Sequence, residues 1–107
     1  MASMRYEFNP KTRKLIKNRD KHQCINCGST FWLTIAHVFV SRAHGGLGVE
    51  QNGVVLCQSC HHTLDNGRDG KKSQLVKETC EAYLKERYGR IERADVTFNK
   101  WKGYEYE

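Results

Sequence analysis

Four of the five cysteines fall into two pairs with C-x2-C spacing, Cys24 with Cys27 and Cys57 with Cys60. A C-x2-C turn presents two thiolates to one tetrahedral ion, and two such turns complete a four-sulfur site. An odd cysteine count in a chain without an export signal argues against a disulfide framework. We therefore predict a closed, structural zinc site that holds the segment between the pairs; the alternative is four buried thiols with accidental spacing.

The elements that must position this site form a small α+β unit. The sequence predicts a single domain over 1–107, with a core at about 21–66, a basic N-terminal helix at about 10–21 and a C-terminal helix at about 72–88. Asn9 and Pro10 are typical of a helix N-cap and first position. Cys80 lies on the apolar face of the C-terminal helix and is interpreted as a small buried side chain.

The segment between and after the cysteine pairs predicts two strands and a short helix. Residues 31–40 are rich in aromatic and β-branched side chains, which favours a strand. A second short strand over 54–56 returns antiparallel to the first, after a glycine-rich loop. Ser59 is the predicted N-cap of a helix that runs to Asp65 and ends at Asn66–Gly67. The aromatic residues of 96–106 are predicted to dock on the domain.

Composition narrows the function classes. Lys and Arg total 18 against 12 Asp and Glu, giving a net charge of +6 that favours a polyanionic partner. Residues 5–21 carry seven of the basic side chains and two acidic ones. No apolar run approaches the roughly 20 residues of a membrane span, and residues 1–10 lack a signal-peptide core. We therefore expect a cytoplasmic protein that does not enter membranes.

Three further residues, His37, Asn52 and His61, fall at intervals of 15 and 9 positions around the glycine-rich loop. Together with the two cysteine pairs, this pattern resembles the HNH endonucleases, over about residues 21–65. The resemblance implies a ββα-metal fold (the His-Me finger), in its zinc-containing four-cysteine branch. It also implies hydrolysis of DNA, with double-stranded DNA as the expected substrate.

The resemblance also assigns roles. His37 is the implied general base that activates water, because a neutral imidazole is suited to that task near pH 7. His61 is the implied ligand of a catalytic divalent ion such as Mg2+, Mn2+ or Ni2+, which stabilises the phosphate and the departing 3′ oxygen. Asp65 lies one helical turn after His61 and can offer a carboxylate oxygen to the same ion. Asn52 is expected to brace the loop that aims His37.

One position departs from the family pattern. Many members carry Asp or His immediately before the base as a further metal ligand, whereas this chain has Ala36. Either the catalytic ion is bound weakly, or the protein is a zinc-stabilised DNA-binding module that has lost catalysis. A zinc-ribbon interaction protein without nucleic-acid affinity is a third, weaker reading.

Phosphate contacts are predicted from one arginine between the cysteine pairs and from the basic N-terminal helix. Arg42 can hold a phosphate by a bidentate contact, although a solvated loop arginine is an equal alternative. The one-sided charge of the N-terminal helix favours backbone contacts over a merely solvated face. The residues concerned are Lys11, Arg13, Lys14 and Lys17.

Overall fold

The computed structural model describes residues 7–42, 45–65 and 70–97. Its elements are helix α1 (Pro10–Arg19), strand β1 (Leu33–His37), strand β2 (Gly53–Cys57), helix α2 (Gln58–Asp65) and helix α3 (Gly70–Tyr88). Two short 3-10 turns cover Glu50–Asn52 and Arg93–Val96. The two strands pair antiparallel. The predicted α+β class, with a hairpin core and flanking helices, is confirmed.

Helix α1 begins as its sequence predicts. The Asn9 side chain accepts a hydrogen bond from Thr12 N at 2.8 Å, and Pro10 occupies the first helical position. The helix ends two residues earlier than expected, since Lys21 and His22 both adopt positive φ angles. Ile16 is its one fully buried side chain among the described residues, and it packs with Phe8 against the hairpin.

A buried ion pair fastens α1 to the rest of the domain. Asp20 directly follows the helix and is almost completely buried. Its carboxylate accepts hydrogen bonds from Arg19, from the backbone N–H of Val55 at 2.8 Å and from the Tyr83 hydroxyl. Arg19 also donates to the carbonyl of Gly53 at 2.6 Å. This network joins α1, β2 and α3 and satisfies the buried charge.

The first strand is shorter than the predicted 31–40 at both ends. Phe31 and Trp32 stand exposed before it, because Trp32 takes a left-handed conformation (φ 58°) that breaks the ladder. At the other end, the backbone N–H groups of Phe39 and Val40 bond to the side chain of Asn52. A buried amide therefore replaces strand pairing there.

Helix α2 starts one residue before the predicted cap, so the assignment of Ser59 as N-cap was wrong. Gln58 N donates to the Trp32 carbonyl at 2.8 Å, and Cys60 N donates to Cys57 Sγ at 3.5 Å. The Cys57 sulfur thus takes the capping role. The predicted helix end at Asn66–Gly67 lies outside the described residues.

The hairpin separates two packed layers. Thr34 and Ala36 point toward α2, while Leu33, Ile35 and His37 point toward Phe8 and α1, because side chains alternate along a strand. Helix α3 begins two residues earlier than predicted and packs on the α2 side. It contributes the buried side chains Val76, Cys80 and Leu84. Cys80 is a completely buried core residue, as expected.

Candidate functional site

Four cysteine sulfurs converge at the end of the hairpin. The Sγ atoms of Cys24, Cys27, Cys57 and Cys60 all lie within 4.8 Å of one another, and the Cys27–Cys57 pair is separated by 3.6 Å. Two sulfurs on one tetrahedral zinc ion lie about 3.8 Å apart, given Zn–S bonds of about 2.3 Å. The predicted cluster is therefore confirmed as a group able to hold zinc.

Local backbone structure explains the convergence. In the first knuckle, Gly28 N donates to Cys24 O at 2.8 Å, and Gly28 adopts φ 82°, a conformation that glycine alone takes without penalty. Cys27 N donates to Cys24 Sγ at 3.4 Å, and Asn26 Nδ2 donates to Cys60 Sγ at 3.4 Å. These donors stabilise negative charge on sulfur, as a metal-bound thiolate requires.

The pKa values of the cysteine thiols differ within the cluster. Burial would raise the pKa of Cys24, but hydrogen bonds from the backbone of Cys57, Cys27 and Asn26 lower that pKa to about 7. Burial raises the pKa of Cys60 to about 12, with the neighbouring sulfurs acting in the same direction. Four adjacent sulfurs cannot all ionise without a cation, because their charges repel one another. The donor set thus fits a divalent metal held by four thiolates.

A second polar group lies on α2, above the middle of β1. The Thr34 hydroxyl donates to the Leu56 carbonyl at 2.8 Å, so it accepts a hydrogen bond from His61 Nδ1 at 2.7 Å. This assignment places a proton on Nδ1 and leaves the lone pair of the neutral ring on Nε2. Nε2 lies 3.0 Å from Asp65 Oδ2. A lone pair and a carboxylate oxygen at that distance need a shared proton or a cation between them.

The imidazole of His37 packs on Phe8. Its ring centroid is 4.5 Å from that of Phe8, on the α1 side of the hairpin. The register partner of His37 is Gly53, where an added Cβ would come within 2.5 Å of the Phe8 ring and 2.9 Å of Ile16. By strand alternation, His37 therefore lies on the face of β1 away from α2, and its predicted action beside a cation on that helix stays a prediction.

At the end of β1, an open cleft is nevertheless lined by residues from both sides of the strand. Its volume is about 380 Å3, and its lining includes His37, Ser41, Asp65 and Lys77. Lys77 projects from α3, with its Nζ 4.0 Å from Glu81 Oε2. A substrate group in this cleft can contact the His37 side of the strand and the Asp65 side of α2 together.

Asn52 lies at the centre of the loop that follows β1, and it is completely buried. Its Oδ1 accepts from Phe39 N at 2.8 Å and Val40 N at 3.3 Å. Its Nδ2 donates to Val40 O at 3.0 Å and Leu47 O at 3.2 Å. These four hydrogen bonds use all of the amide's directions and fix the backbone beside the cleft.

The predicted phosphate contacts come from a loop and from helix α1. Arg42 forms an exposed ion pair with Glu7 at 2.8 Å. The four basic residues of α1 do not share one face. At 100° per residue, Lys11 and Lys14 lie opposite buried Ile16, whereas Arg13 and Lys17 lie nearer to its side. Their contacts with phosphate stay predictions.

Two residues that matter for the site, Thr34 and Lys77, were missed from the sequence, whereas Ala36 was not. Thr34 orients His61, and strand alternation could have found it, since it shares a face with Ala36 two positions later. Ala36 is completely buried and offers no ligand atom toward α2. Lys77 lies 40 positions from His37, and no local pattern brings the two together.

Comparison with known proteins places the chain in a family. No family model matches it, so membership of the HNH family stays a prediction. Anaredoxin from Nostoc sp. (strain PCC 7120) is 30% identical over 67 residues, which cover 63% of this chain and 88% of the relative. The chain therefore belongs to the same family as anaredoxin.

A solved structure shares the fold. The Type IV phosphorothioation-dependent restriction endonuclease ScoMcrA matches 74% of this chain with a TM-score of 0.55 and 24% sequence identity. The chain spans about 20% of the length of that protein. The hairpin-and-helix core therefore occurs within a restriction endonuclease.

Proposed function

We propose that the protein is a divalent-metal-dependent endonuclease that hydrolyses DNA phosphodiester bonds in the cleft at the end of β1. The observation that carries the proposal is the orientation of His61. His61 Nδ1 lies 2.7 Å from the Thr34 hydroxyl, and Nε2 faces the Asp65 carboxylate at 3.0 Å; in the tautomer with the proton on Nδ1, Nε2 offers its lone pair there. A nitrogen and a carboxylate oxygen one helical turn apart would hold a cation with open positions for water and phosphate.

The residues around the cleft would have separate roles in the reaction. His61 and Asp65 would hold the divalent ion, which when bound supplies charge stabilisation for the phosphate and the departing 3′ oxygen. His37 would accept the proton of the attacking water from the other side of the strand end. Lys77 would contact a phosphate oxygen across the cleft, and Asn52 would keep the loop rigid.

The surrounding charge supports a nucleic-acid substrate. The basic side chains of α1 would bind the DNA backbone, and Arg42 would exchange its contact with Glu7 for a phosphate. The fold shared with a restriction endonuclease supports the same substrate class. Among the described helices, none has the length and apolarity that a membrane crossing demands. Free cysteines and a DNA substrate suit the cytoplasm.

Plasmid nicking tests the proposal. Supercoiled DNA is incubated with the protein and Mg2+, Mn2+ or Ni2+, and zinc content is measured for every variant. We expect His61→Ala and Asp65→Asn to lose cleavage while retaining zinc. His22→Ala is the matched control, because His22 is exposed and bonds to Asn18 on α1. Cleavage by His61→Ala at the wild-type rate would refute the proposed site.

The alternative of a DNA-binding module without catalysis is favoured by two observations. Ala36 contributes no ligand, and the His37 ring packs on Phe8. This alternative predicts salt-dependent DNA binding without turnover in any divalent ion. Metal-dependent nicking by the wild-type protein separates the two, and its loss in His37→Ala would support the assignment of His37 as the base.

A redox role for the sulfur site is a further candidate, favoured by kinship with anaredoxin, whose name indicates redox chemistry. A set of four thiolates binds iron as well as zinc. Hydrogen bonds to sulfur, such as those from Cys27 N and Asn26 Nδ2, tune the potential of an iron centre. Metal analysis of the protein, purified without added metal, distinguishes an iron site from a zinc site. Iron, with a reversible change in visible absorption, would favour electron transfer, whereas zinc would exclude it.

A further inference from the structure

Two adjacent aromatic side chains stand in solvent beside the first strand. Phe31 is 73% exposed and Trp32 is 77% exposed, the largest exposures among the large apolar residues of the described chain. Isolated exposed hydrophobic residues are ordinary, but two neighbouring rings form a continuous apolar surface. We call Phe31 and Trp32 together the aromatic platform.

The platform is held in position by the backbone. The amide N–H of Phe31 donates to Ser29 Oγ at 3.2 Å, and the Trp32 carbonyl accepts from Gln58 N at 2.8 Å. Trp32 adopts φ 58°, which is costly for a bulky side chain. The surrounding hydrogen bonds maintain this conformation and keep the rings exposed. Strain of this kind collects at functional sites.

Neutral polar groups border the rings. A shallow cleft of about 350 Å3 is lined by Phe31 and Trp32, and by Ser29, Gln58 and Ser59. Both Gln58 and Ser59 are exposed and offer an amide and a hydroxyl. Stacking faces beside neutral donors and acceptors are what an unpaired nucleobase needs for recognition.

The charges around this cleft favour one part of a nucleic acid over another. The sequence contains no Asp or Glu from Lys21 through Val49, so no carboxylate in this stretch repels a polyanion. Cys57 also borders the cleft, and four zinc-bound thiolates would leave a net charge of −2 there. An uncharged base tolerates that neighbour better than a phosphate does. The base, with its phosphates turned away, is therefore the part of a nucleic acid that suits this cleft.

We propose that Phe31 and Trp32 stack on unpaired nucleobases of a DNA strand whose backbone passes through the His37 cleft. This inference rests on the proposed function, and it names locally single-stranded DNA as the substrate. The two sites lie at opposite ends of β1. Five strand residues span about 16 Å, which equals the rise of about five stacked nucleotides. One strand can therefore contact both.

Binding is tested without cleavage. The Trp101→Phe variant leaves Trp32 as the single tryptophan of the chain, and its fluorescence is titrated with an octathymidylate and with an abasic strand of equal length, without added divalent ions. We expect quenching by the octathymidylate but not by the abasic strand. Equal quenching by the two strands would overturn the proposal, because it would assign binding to the backbone alone.

Trp32→Gly is the decisive variant, because glycine adopts φ 58° without backbone strain. In the otherwise wild-type chain, anisotropy of a labelled octathymidylate should show binding weakened by at least about tenfold, with zinc content unchanged. Trp32→Phe should stay close to wild type. Leu75→Ala is the matched control, since it removes another exposed apolar side chain on α3.

The remaining outcomes keep this proposal separate from the nuclease. His61→Ala should bind the octathymidylate normally even if it cleaves nothing. A protein that nicks DNA but binds equally well with Trp32→Gly overturns the platform alone. A protein that never nicks but loses binding in this variant retains the platform and refutes the nuclease. A dimer that dissociates with Trp32→Gly in sedimentation would assign the surface to a second copy and overturn the proposal.

Discussion

The two candidate metal sites differ in how many ligands the chain supplies. At the sulfur cluster, four side chains from both knuckles converge, and N–H donors approach the sulfurs. At the second site, the chain directs one ring nitrogen and one carboxylate toward each other, both on α2. A closed ligand set stabilises a fold, whereas an incomplete set leaves positions for water and substrate. The comparison predicts that the two sites respond differently to the same change.

The largest expected effect follows loss of the sulfur cluster. Cys24→Ser or Cys57→Ser removes a ligand, and apparent zinc-binding energies of about 10–16 kcal/mol then no longer support folding. We expect loss of zinc and of the cooperative thermal transition, measured by metal analysis and circular dichroism. His61→Ala should retain both.

Cys80→Ala is the matched control, because it removes a fully buried thiol outside the cluster. This variant should retain zinc with a modest loss of stability. A Cys24→Ser protein that keeps a wild-type melting curve would show that packing alone holds the knuckles.

Replacing Asn52 should damage the second site without disturbing the first. Asn52→Ala leaves four backbone groups of Phe39, Val40 and Leu47 without their partner. The unpaired buried groups should lower the free energy of unfolding by about 3 kcal/mol or more. Chemical denaturation measures this loss.

Asn52→Asp refines that test. The carboxylate can still accept from Phe39 N and Val40 N, but it cannot donate to the two carbonyls. The variant should lose stability and cleavage, yet retain one zinc per chain. Loss of zinc from either Asn52 variant would show that the loop and the knuckles fold as one unit.

How much the sequence revealed differs between the same two sites. The cysteine pairs are local patterns, so the cluster was predictable from spacing, while the α+β class was predictable from the strand and helix patterns around it. The Thr34–His61 contact joins a strand to a helix, and the side on which His37 lies depends on where β1 begins. Phe31 and Trp32 favour a strand by composition, yet Trp32 takes a left-handed conformation that no propensity indicates.

Charge was the other property that the sequence could not resolve. Arg19 and Asp20 look like part of a solvated basic helix, but tertiary packing buries Asp20 between α1, β2 and α3. Adjacent opposite charges at a helix end are usually exposed, so their burial leaves no signal in the local pattern. Arg19 therefore serves the fold, while Lys11, Arg13 and Lys14 of the same helix are exposed.

Acidification should weaken the sulfur cluster steeply. Zinc binds thiolates, so each thiol that is protonated in the metal-free protein must release its proton. The pKa of Cys24 is lowered to about 7, while those of Cys27 and Cys60 are raised, the latter to about 12. Near pH 7, Cys27 and Cys60 are protonated and Cys24 is partly so.

Because protons compete with zinc for the thiolates, zinc affinity falls as the pH falls. At least about two protons are displaced near pH 7, so the affinity should drop by about a hundredfold or more per pH unit. Competition with a chelator of known affinity at pH 6 and pH 7 measures the change. An affinity that is equal at the two values would mean that the cluster is already ionised without metal.

The smallest expected effect concerns the second site, formed by His61 and Asp65. Thr34→Val is nearly isosteric and removes the acceptor that holds the proton on His61 Nδ1. Loss of such an orienting partner costs about 10–100-fold in metal affinity or activity. We expect the divalent-ion concentration for half-maximal nicking to rise by that factor, while zinc content stays constant. Thr63→Val is the matched control, because the Thr63 hydroxyl donates to Ser59 O on the same helix and does not contact His61. Equal ion dependence in the two variants would mean that the orientation of His61 does not determine metal binding.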